Sequence, residues 1–277
     1  MALKLMYITN RPGVAKIAES AGVDRIFIDL EYIGKSDRQG GMDTVQSQHT
    51  LEDIKRVSEV ITKSEVLVRV NPIHDKTEEY ISSEEEIQQA IENGADIVML
   101  PFFKTIDEVK RFLSAVNKKS KVMLLIETPE AVENIDEILS LGGIDFVHIG
   151  LNDLSLGYGM TFMFELLSNG MVEALCEKIK NKNIPYGFGG IASLGKGLVP
   201  AEMIIKEHYR LDSSCAILSR SFCDVDKISD LDIIESTFRK GISEIRQLEA
   251  ECESHKKYFL NNKQKLNDAI NRIINLG

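Results

Sequence analysis

Short apolar runs alternate with amphipathic stretches along most of the chain. The runs are rich in aliphatic and β-branched residues and end at turn residues, which is typical of buried parallel strands. The stretches between them carry apolar residues at helical spacing. The pattern predicts eight strand–helix units, with strands at 3–8, 25–30, 65–70, 95–101, 121–126, 144–149, 184–190 and 213–219.

The stretches between the strands predict the helices and one long loop. Residues 82–94 begin with serines suited to an N-cap and end at a glycine, so a helix is expected there. Segment 33–49 has three glycines and no period, so a long loop is expected. The remaining helices are predicted near 12–21, 50–63, 105–117, 129–143, 161–182 and 200–208.

Eight units of this kind favour a closed (β/α)8 TIM barrel over an open sheet. We expect the barrel to occupy residues 1–228. Residues 229–277 are charged and amphipathic without a strand pattern, which predicts a C-terminal helical extension. The extension is expected to hold the eighth helix plus one or two added helices. These would pack on the barrel or, by preference, on a second subunit of a homo-oligomer.

Composition narrows the class of partner. The chain has 277 residues, 43% of them hydrophobic, which suffices for one large core. Its net charge of −10 disfavours nucleic acid as a partner, and no apolar run has the length of a membrane span. The four cysteines show no metal-ligand spacing. We expect a cytoplasmic protein that acts on a small molecule.

Two carboxylates, Glu127 and Asp153, each follow the end of a predicted strand, about one unit apart. In a β/α barrel the carboxyl ends of the strands surround the active site. Two hard oxygen ligands at that position suit Mg²⁺ or Mn²⁺ and leave coordination positions open. The alternative is that both are acids favoured by the first turn of a helix.

Several motifs in register resemble a known family. The chain is similar to the HpcH/HpaI aldolase and citrate lyase β-subunit group of pyruvate-type β/α barrels. The similarity extends from residue 1 to about residue 220. The segments that carry it are GVDRIFIDLE at 22–31, LVRVNP at 67–72, GADIVMLPFF at 94–103, LLIETPEAVEN at 124–134 and FVHIGLNDLS at 146–155.

The resemblance implies an activity and assigns residues to it. It implies a metal-dependent carbon–carbon lyase, an aldolase of the class II type, that acts on a 2-oxo acid through a pyruvate enolate. Glu127 and Asp153 would hold the cation, Mg²⁺ or Mn²⁺. Arg69 would contact the carboxylate or enolate oxygen, unless it only forms a salt bridge, for instance to Glu31. Backbone N–H groups from Gly150 through Leu151 and Asn152 would bind the substrate carboxylate.

One departure from the family leaves the catalytic base open. The aldolase branch has a histidine directly after the DxE motif, whereas here Tyr32 follows Asp29 and Glu31. We count Asp29, Glu31 and Tyr32 with Arg69 as catalytic candidates. For the base itself the candidates are Tyr32, His49, His74 and a metal-bound water.

Further cations and glycines are expected near the mouth of the barrel. Lys35, Arg38 and Gln39 follow the second strand, so Lys35 and Arg38 would either bind an anionic part of the substrate or belong to a mobile surface loop. The glycines of 187–190 allow close backbone approach, either to a phosphate or within a tight turn. Lys104 is expected to be a solvated first-turn residue.

Two other functions are compatible with the sequence. The motifs DLE and RVN also occur in the citrate-lyase-like branch, so an acyl-CoA lyase is an alternative. The missing histidine permits a barrel that serves as a regulatory or scaffold protein. Retention of Glu31, Arg69, Glu127 and Asp153 together favours the enzyme, because a scaffold has no need for that set.

Overall fold

Eight parallel strands form a closed barrel in the order β1 to β8, as the sequence predicts. The computed structural model describes residues 2–35, 47–254 and 258–276. Each strand pairs with the next along the chain, and β8 pairs with β1. The strands are β1 Lys4–Ile8, β2 Arg25–Asp29, β3 Glu65–Arg69, β4 Ile97–Leu100, β5 Lys121–Ile126, β6 Phe146–Ile149, β7 Tyr186–Ile191 and β8 Cys215–Leu218.

Helices surround this barrel and connect its strands. The helices are α1 Pro12–Ala21, α2 Leu51–Ser58, α3 Ser83–Glu92, α4 Ile106–Val116, α5 Pro129–Glu133, α6 Ile135–Ile138, α7 Leu151–Gly157, α8 Glu165–Ser168, α9 Met171–Lys180, α10 Ala201–Arg210, α11 Leu231–Ser254 and α12 Tyr258–Leu276. Several begin with side-chain caps: Ser82 accepts from the N–H of Glu85, and Thr50 and Thr105 each form a capping box. Such caps satisfy backbone donors that the helix itself leaves unpaired.

The barrel has two apolar layers because strand side chains alternate between its two faces. Inward-facing residues such as Met6, Phe27, Leu67 and Met123 fill the interior and are buried. Outward-facing residues pack against the helices and form the larger core. Both faces of each strand are therefore apolar, which explains the continuous hydrophobic runs in the sequence.

The amino-terminal end of the barrel interior is closed by charged side chains. Arg25 on β2 donates from Nε to Glu65 on β3 at 3.0 Å, and its guanidinium lies 4.1 Å from the centre of the Phe146 ring. Lys121 on β5 pairs with the same glutamate. These ion pairs stabilise the amino-terminal end of the barrel. A functional site is therefore expected at the carboxyl end.

The predicted helix at 161–182 is wrong. The structure divides this stretch into α8 and α9. Gly170 separates them with φ of 84°, a left-handed conformation that interrupts a right-handed helix. The predicted helix at 50–63 is also shorter, because α2 ends at Ser58.

The C-terminal extension packs on the barrel of its own chain. Helix α11 lies against α1 and α10, and α12 lies against α10 and α8. Glu249 on α11 accepts a 2.7 Å hydrogen bond from the N–H of Leu3, and Arg246 donates to the Leu3 carbonyl at 2.9 Å. These bonds attach α11 to the start of β1. Among the described residues, no helix has the length and apolar character needed to cross a membrane.

Close packing of β7 against β8 depends on glycine. A Cβ atom on Gly187 would lie 2.1 Å from the carbonyl oxygen of Cys215, and the register between the two strands shifts after this point. Gly189 likewise has φ of 53° and faces Leu151 of α7. The glycines therefore serve strand and helix packing.

We predict that Gly187→Ala lowers the free energy of unfolding by about 2–3 kcal/mol, because the methyl group forces the two strands apart. Gly13→Ala in α1 is the control, since its Cβ would meet Leu231 at an ordinary 3.7 Å. The control should be neutral or stabilising by up to about 1 kcal/mol. Denaturant titration of both variants measures the difference, and equal stabilities would contradict this account of β7.

Candidate active site

Asp29 and Arg69 form the centre of the site at the carboxyl ends of β2 and β3. The two residues are partners in the strand register, so their inward-facing side chains lie side by side. Arg69 donates from Nε and Nη2 to the two carboxylate oxygens of Asp29, each at 2.8 Å. This two-point bond fixes the plane of the guanidinium.

Glu31 and Lys35 complete a buried group of four charges, here called the ion cluster (Asp29, Glu31, Lys35 and Arg69). Arg69 Nη1 lies 3.2 Å from Glu31 Oε2. Lys35 Nζ lies 2.9 Å from Asp29 Oδ2 and 3.5 Å from Glu31 Oε2. Two cations and two anions balance, which is the condition under which buried charges are tolerated.

The ion cluster sets the charge states of its members. Burial raises the pKa of Asp29, but Arg69 and Lys35 outweigh burial and hold that pKa well below its usual range. Burial lowers the pKa of Arg69, whereas Asp29 and Glu31 raise it further than burial lowers it. Asp29 and Arg69 are therefore both charged at neutral pH. The salt bridge that the sequence left as an alternative for Arg69 exists, with Asp29 as the two-point partner.

Glu127 and Asp153 lie together at the ends of β5 and β6, as the sequence predicts. Glu127 directly follows β5 and accepts a 3.0 Å hydrogen bond from the N–H of Phe102. Asp153 lies in the first turn of α7, after β6. Both residues are buried and both line a cavity of about 540 Å³ beside Thr128 and Pro129.

Crowding of negative charge at Glu127 indicates a place for a cation. Burial raises the pKa of Glu127 well above its usual value, Glu31 and Asp153 raise it further, and Arg69 lowers it. The described residues contain no group of three or more His, Cys, Asp or Glu side chains able to hold a metal ion. The two carboxyl groups nevertheless supply hard oxygen donors that fit a divalent cation whose other ligands are water and substrate.

Gly150 and the start of α7 bring backbone donors to the carboxylate pair. A Cβ atom on Gly150 would lie 2.7 Å from Glu127 Oε2, so only glycine permits this approach. The first hydrogen bond within the turn runs from Leu154 N–H to the Gly150 carbonyl at 3.2 Å. The N–H groups of Leu151, Asn152 and Asp153 precede it and therefore form the donor end of the helix. Such an end suits an anionic group.

Tyr32 does not have the environment of a base. Its side chain is 51% exposed and packs against Tyr80, with 5.6 Å between the ring centres. Burial, Glu86 and Tyr80 raise the pKa of Tyr32, so the phenol stays protonated near neutral pH. Its backbone N–H donates to Asn71 at 3.0 Å.

The two candidate histidines have different surroundings. His74 is engaged at both ring nitrogens: Nδ1 lies 2.8 Å from the Pro72 carbonyl and Nε2 lies 2.8 Å from the Ile81 carbonyl. This ring stabilises the loop before α3. His49 instead lines a second cavity, of about 570 Å³, together with Asp29 and Arg69.

The remaining cations are placed as follows. Lys35 is buried in the ion cluster, so its charge is already balanced by carboxylates. Lys104 is half-exposed and pairs with Glu130, as expected of a solvated residue. Arg38 and Gln39 lie outside the described residues.

Sequence reasoning missed the buried residues that shape the loop after β2. The side-chain oxygen Oδ1 of Asn71 accepts from the N–H groups of Tyr32 and Ile33, each at 3.0 Å. Its amide donates to Glu86 at 2.7 Å. The RVN motif contains Asn71, so the signal was present, but its role depends on a contact with α3. The donor role of Phe102, which has φ of 45°, has no sequence signal.

We predict that Asp29→Asn lowers the free energy of unfolding by about 2–4 kcal/mol at pH 7, because buried cations lose a partner. Since the folded pKa of Asp29 is depressed, the wild-type advantage is complete above the unfolded pKa of about 3.9 and shrinks as the pH falls below it. Urea titrations between pH 3 and 7 measure this.

The matched control for that experiment is Asp107→Asn, which removes an exposed carboxylate paired with Lys110. Its effect should be below about 1 kcal/mol at every pH. A difference between wild type and Asp29→Asn that is the same at pH 3 and pH 7 would contradict the charge state assigned to Asp29.

Known proteins are similar in sequence to part of this chain. The 2-keto-3-deoxy-L-rhamnonate aldolase of Escherichia coli O157:H7 is 23% identical in an alignment of length 176, which covers 53% of this chain and 58% of that protein. The alignment thus spans little more than half of the relative.

Solved structures share the fold. The HpcH/HpaI aldolase from Desulfitobacterium hafniense DCB-2 superimposes with a TM-score of 0.61 at 17% identity, over 88% of this chain and 93% of that one. An HpcH/HpaI aldolase/citrate lyase family protein from Burkholderia cenocepacia J2315 gives 0.63 at 14% identity, over 88% and 95%.

The family profile decides the assignment. The profile of the HpcH/HpaI aldolase/citrate lyase family matches residues 4–165, which is more than half of the chain and includes β1 to β6 with both carboxylates of the pair. The sequence therefore predicted the family and the barrel correctly. This chain belongs to the HpcH/HpaI aldolase/citrate lyase family.

Proposed function

We propose that this protein is a divalent-metal-dependent carbon–carbon lyase, an aldolase that acts on a 2-oxo acid through its enolate. One observation carries the proposal: a guanidinium fixed by Asp29 and a crowded carboxylate pair meet at the carboxyl end of one barrel. The positive charge of Arg69 lowers the pKa of Glu127, whereas burial raises it. Arg69 and Glu127 are thus close enough to interact electrostatically at this end of the barrel.

Relatives support the substrate class. The family contains aldolases, and the Escherichia coli relative is named for a 2-keto acid. A 2-oxo acid offers a carboxylate and an adjacent carbonyl oxygen, which suit the helix N-terminus and Arg69 in this site. We therefore place a 2-oxo acid or its hydroxylated aldol in the mouth of the barrel as the small-molecule substrate.

Residues of this chain would bind the substrate and stabilise its enolate. The N–H groups of Leu151 and Asn152 would bind the substrate carboxylate at the donor end of α7. Arg69 would donate to the enolate oxygen, and its always-charged guanidinium favours the negative charge that develops there. Asp29 positions this guanidinium, so little reorganisation is needed during the reaction.

The carboxylate pair would hold the cofactor. Glu127 and Asp153 fit Mg²⁺ or Mn²⁺ as oxygen ligands, and the negative charge crowded at Glu127 would be neutralised there. When bound, such a cation supplies Lewis-acid stabilisation of charge on the 2-oxo oxygen.

We predict that Asp153→Asn weakens Mn²⁺ binding at least about tenfold, a loss of about 1.4 kcal/mol, because one anionic ligand is removed. Calorimetry measures the affinity. Metal-dependent exchange of pyruvate methyl protons into D₂O, followed by NMR, measures enolisation in the same variant and should fall with it. The control is Asp136→Asn, an exposed acid paired with Lys178. Unchanged Mn²⁺ affinity in Asp153→Asn would remove the metal-site assignment.

We also predict that Tyr32→Phe changes the exchange rate by less than about threefold, since a protonated phenol with a raised pKa is a poor base. The control is Tyr158→Phe, another partly exposed tyrosine. Loss of exchange in Tyr32→Phe with Mn²⁺ binding intact would make the tyrosine catalytic. A native protein that shows neither exchange nor thioester cleavage with any divalent metal would favour the scaffold function.

A further inference from the structure

His49 is held in the site by the backbone of the residue that fixes Arg69. The N–H of Asp29 donates to His49 Nδ1 at 3.0 Å. The side chain of the same Asp29 makes the two-point bond to Arg69. The imidazole and the guanidinium are therefore positioned by one residue at the end of β2, and both line the same cavity.

This hydrogen bond decides the tautomer of His49. An N–H donor requires a lone pair on Nδ1, so the proton of the neutral ring resides on Nε2. In the part of the chain that the structure describes, no group accepts from Nε2. A ring in this state can donate a hydrogen bond from Nε2 to a ligand, whereas its basic nitrogen, Nδ1, already accepts from the Asp29 N–H.

The ring is also neutral at physiological pH. Burial lowers the pKa of His49, the carboxylates of Asp29, Asp53 and Asp226 raise it less, and Lys35 lowers it. Protonation at Nδ1 would in addition break the bond from Asp29 N–H. The neutral Nε2–H tautomer is thus favoured by burial and by geometry.

His49 and the carboxylate pair line two different cavities at the carboxyl end of the barrel, and Arg69 lines the one that contains His49. His49 lines the cavity beside β1 and β8, with Asn10 and Ser219, whereas Glu127 and Asp153 line the other cavity. If the 2-oxo end of the substrate occupies the carboxylate side, the group that reacts with the enolate carbon extends toward His49.

We propose that His49 is a catalytic residue that donates a hydrogen bond from Nε2 to the aldehyde oxygen of the electrophile. The role rests on the proposed aldolase function. In condensation, the enolate carbon bonds to the aldehyde carbon, the C=O π pair moves to oxygen, and that oxygen takes a proton from solvent. The Nε2–H stabilises the developing negative charge without transferring its own proton.

The experiment compares His49→Ala with His49→Gln in two reactions. The first is exchange of pyruvate methyl protons into D₂O, which needs only enolisation. The second is cleavage of 4-hydroxy-2-oxopentanoate, which also needs the aldehyde oxygen. His49→Ala should slow cleavage about 10²-fold and leave exchange within about twofold. His49→Gln, whose amide N–H mimics Nε2–H, should restore cleavage at least about tenfold.

Other results would overturn the role. If His49 is the base, both reactions fall together in His49→Ala and glutamine restores neither. If cleavage is unchanged in His49→Ala, the residue is not catalytic. Native protein without exchange or cleavage would refute the aldolase function itself, whereas native activity with an unaffected alanine variant refutes only the role of His49.

A measurement on the native protein keeps the proposal testable if the variants fail to fold. Nitrogen-15 NMR of labelled histidine distinguishes the two neutral tautomers and the cation. We expect His49 to be the neutral Nε2–H tautomer from pH 7 to 8. Observation of Nδ1–H or of the cation in that range would contradict the proposal.

Discussion

The two-point bond between Asp29 and Arg69 is the interaction on which the site depends. It joins the ends of β2 and β3 and fixes a guanidinium in the mouth of the barrel. The Asp29 carboxylate also accepts a hydrogen bond from Lys35 Nζ, and the backbone N–H of Asp29 donates to His49 Nδ1. Burying these charges is costly, and the cluster tolerates it because two cations and two anions neutralise one another. Replacing the Asp29 carboxylate would therefore disturb Arg69 and Lys35 at once, whereas the backbone bond to His49 would remain.

The sequence was sufficient for the barrel and for the carboxylate pair. Each strand is buried on both faces, so its residues form an uninterrupted apolar run. Glu127 directly follows one such run, and Asp153 lies in the first turn of the helix after another. Carboxyl ends of adjacent parallel strands must meet, and the pairing of β5 with β6 brings these two acids to one cavity. The local pattern and the global topology agree here, which is why the prediction succeeded.

Other features depend on contacts that no local pattern encodes. Lys35 follows a strand within a polar, glycine-rich segment, so exposure was a reasonable expectation, yet its ammonium lies between Asp29 and Glu31. The predicted helix at 161–182 failed because Gly170 adopts a left-handed conformation that composition alone does not reveal. Helix α12 is amphipathic, and amphipathicity does not distinguish packing on α10 from packing on a second subunit. Burial of Asn71 against Glu86 likewise requires α3 to be in place.

The barrel divides the chemistry between different strands. Residues after β5 and β6 supply the carboxylates and the donor end of α7, the segment after β2 supplies His49, and β3 supplies Arg69. In a β/α barrel each loop varies without disturbing its neighbours, because the strands alone carry the core. In the proposed reaction, enolate formation and recognition of the electrophile would therefore use residues from different strands. Under that proposal, the segment after β2, where Tyr32 stands in place of the family histidine, would be the part of the site that can change with the electrophile.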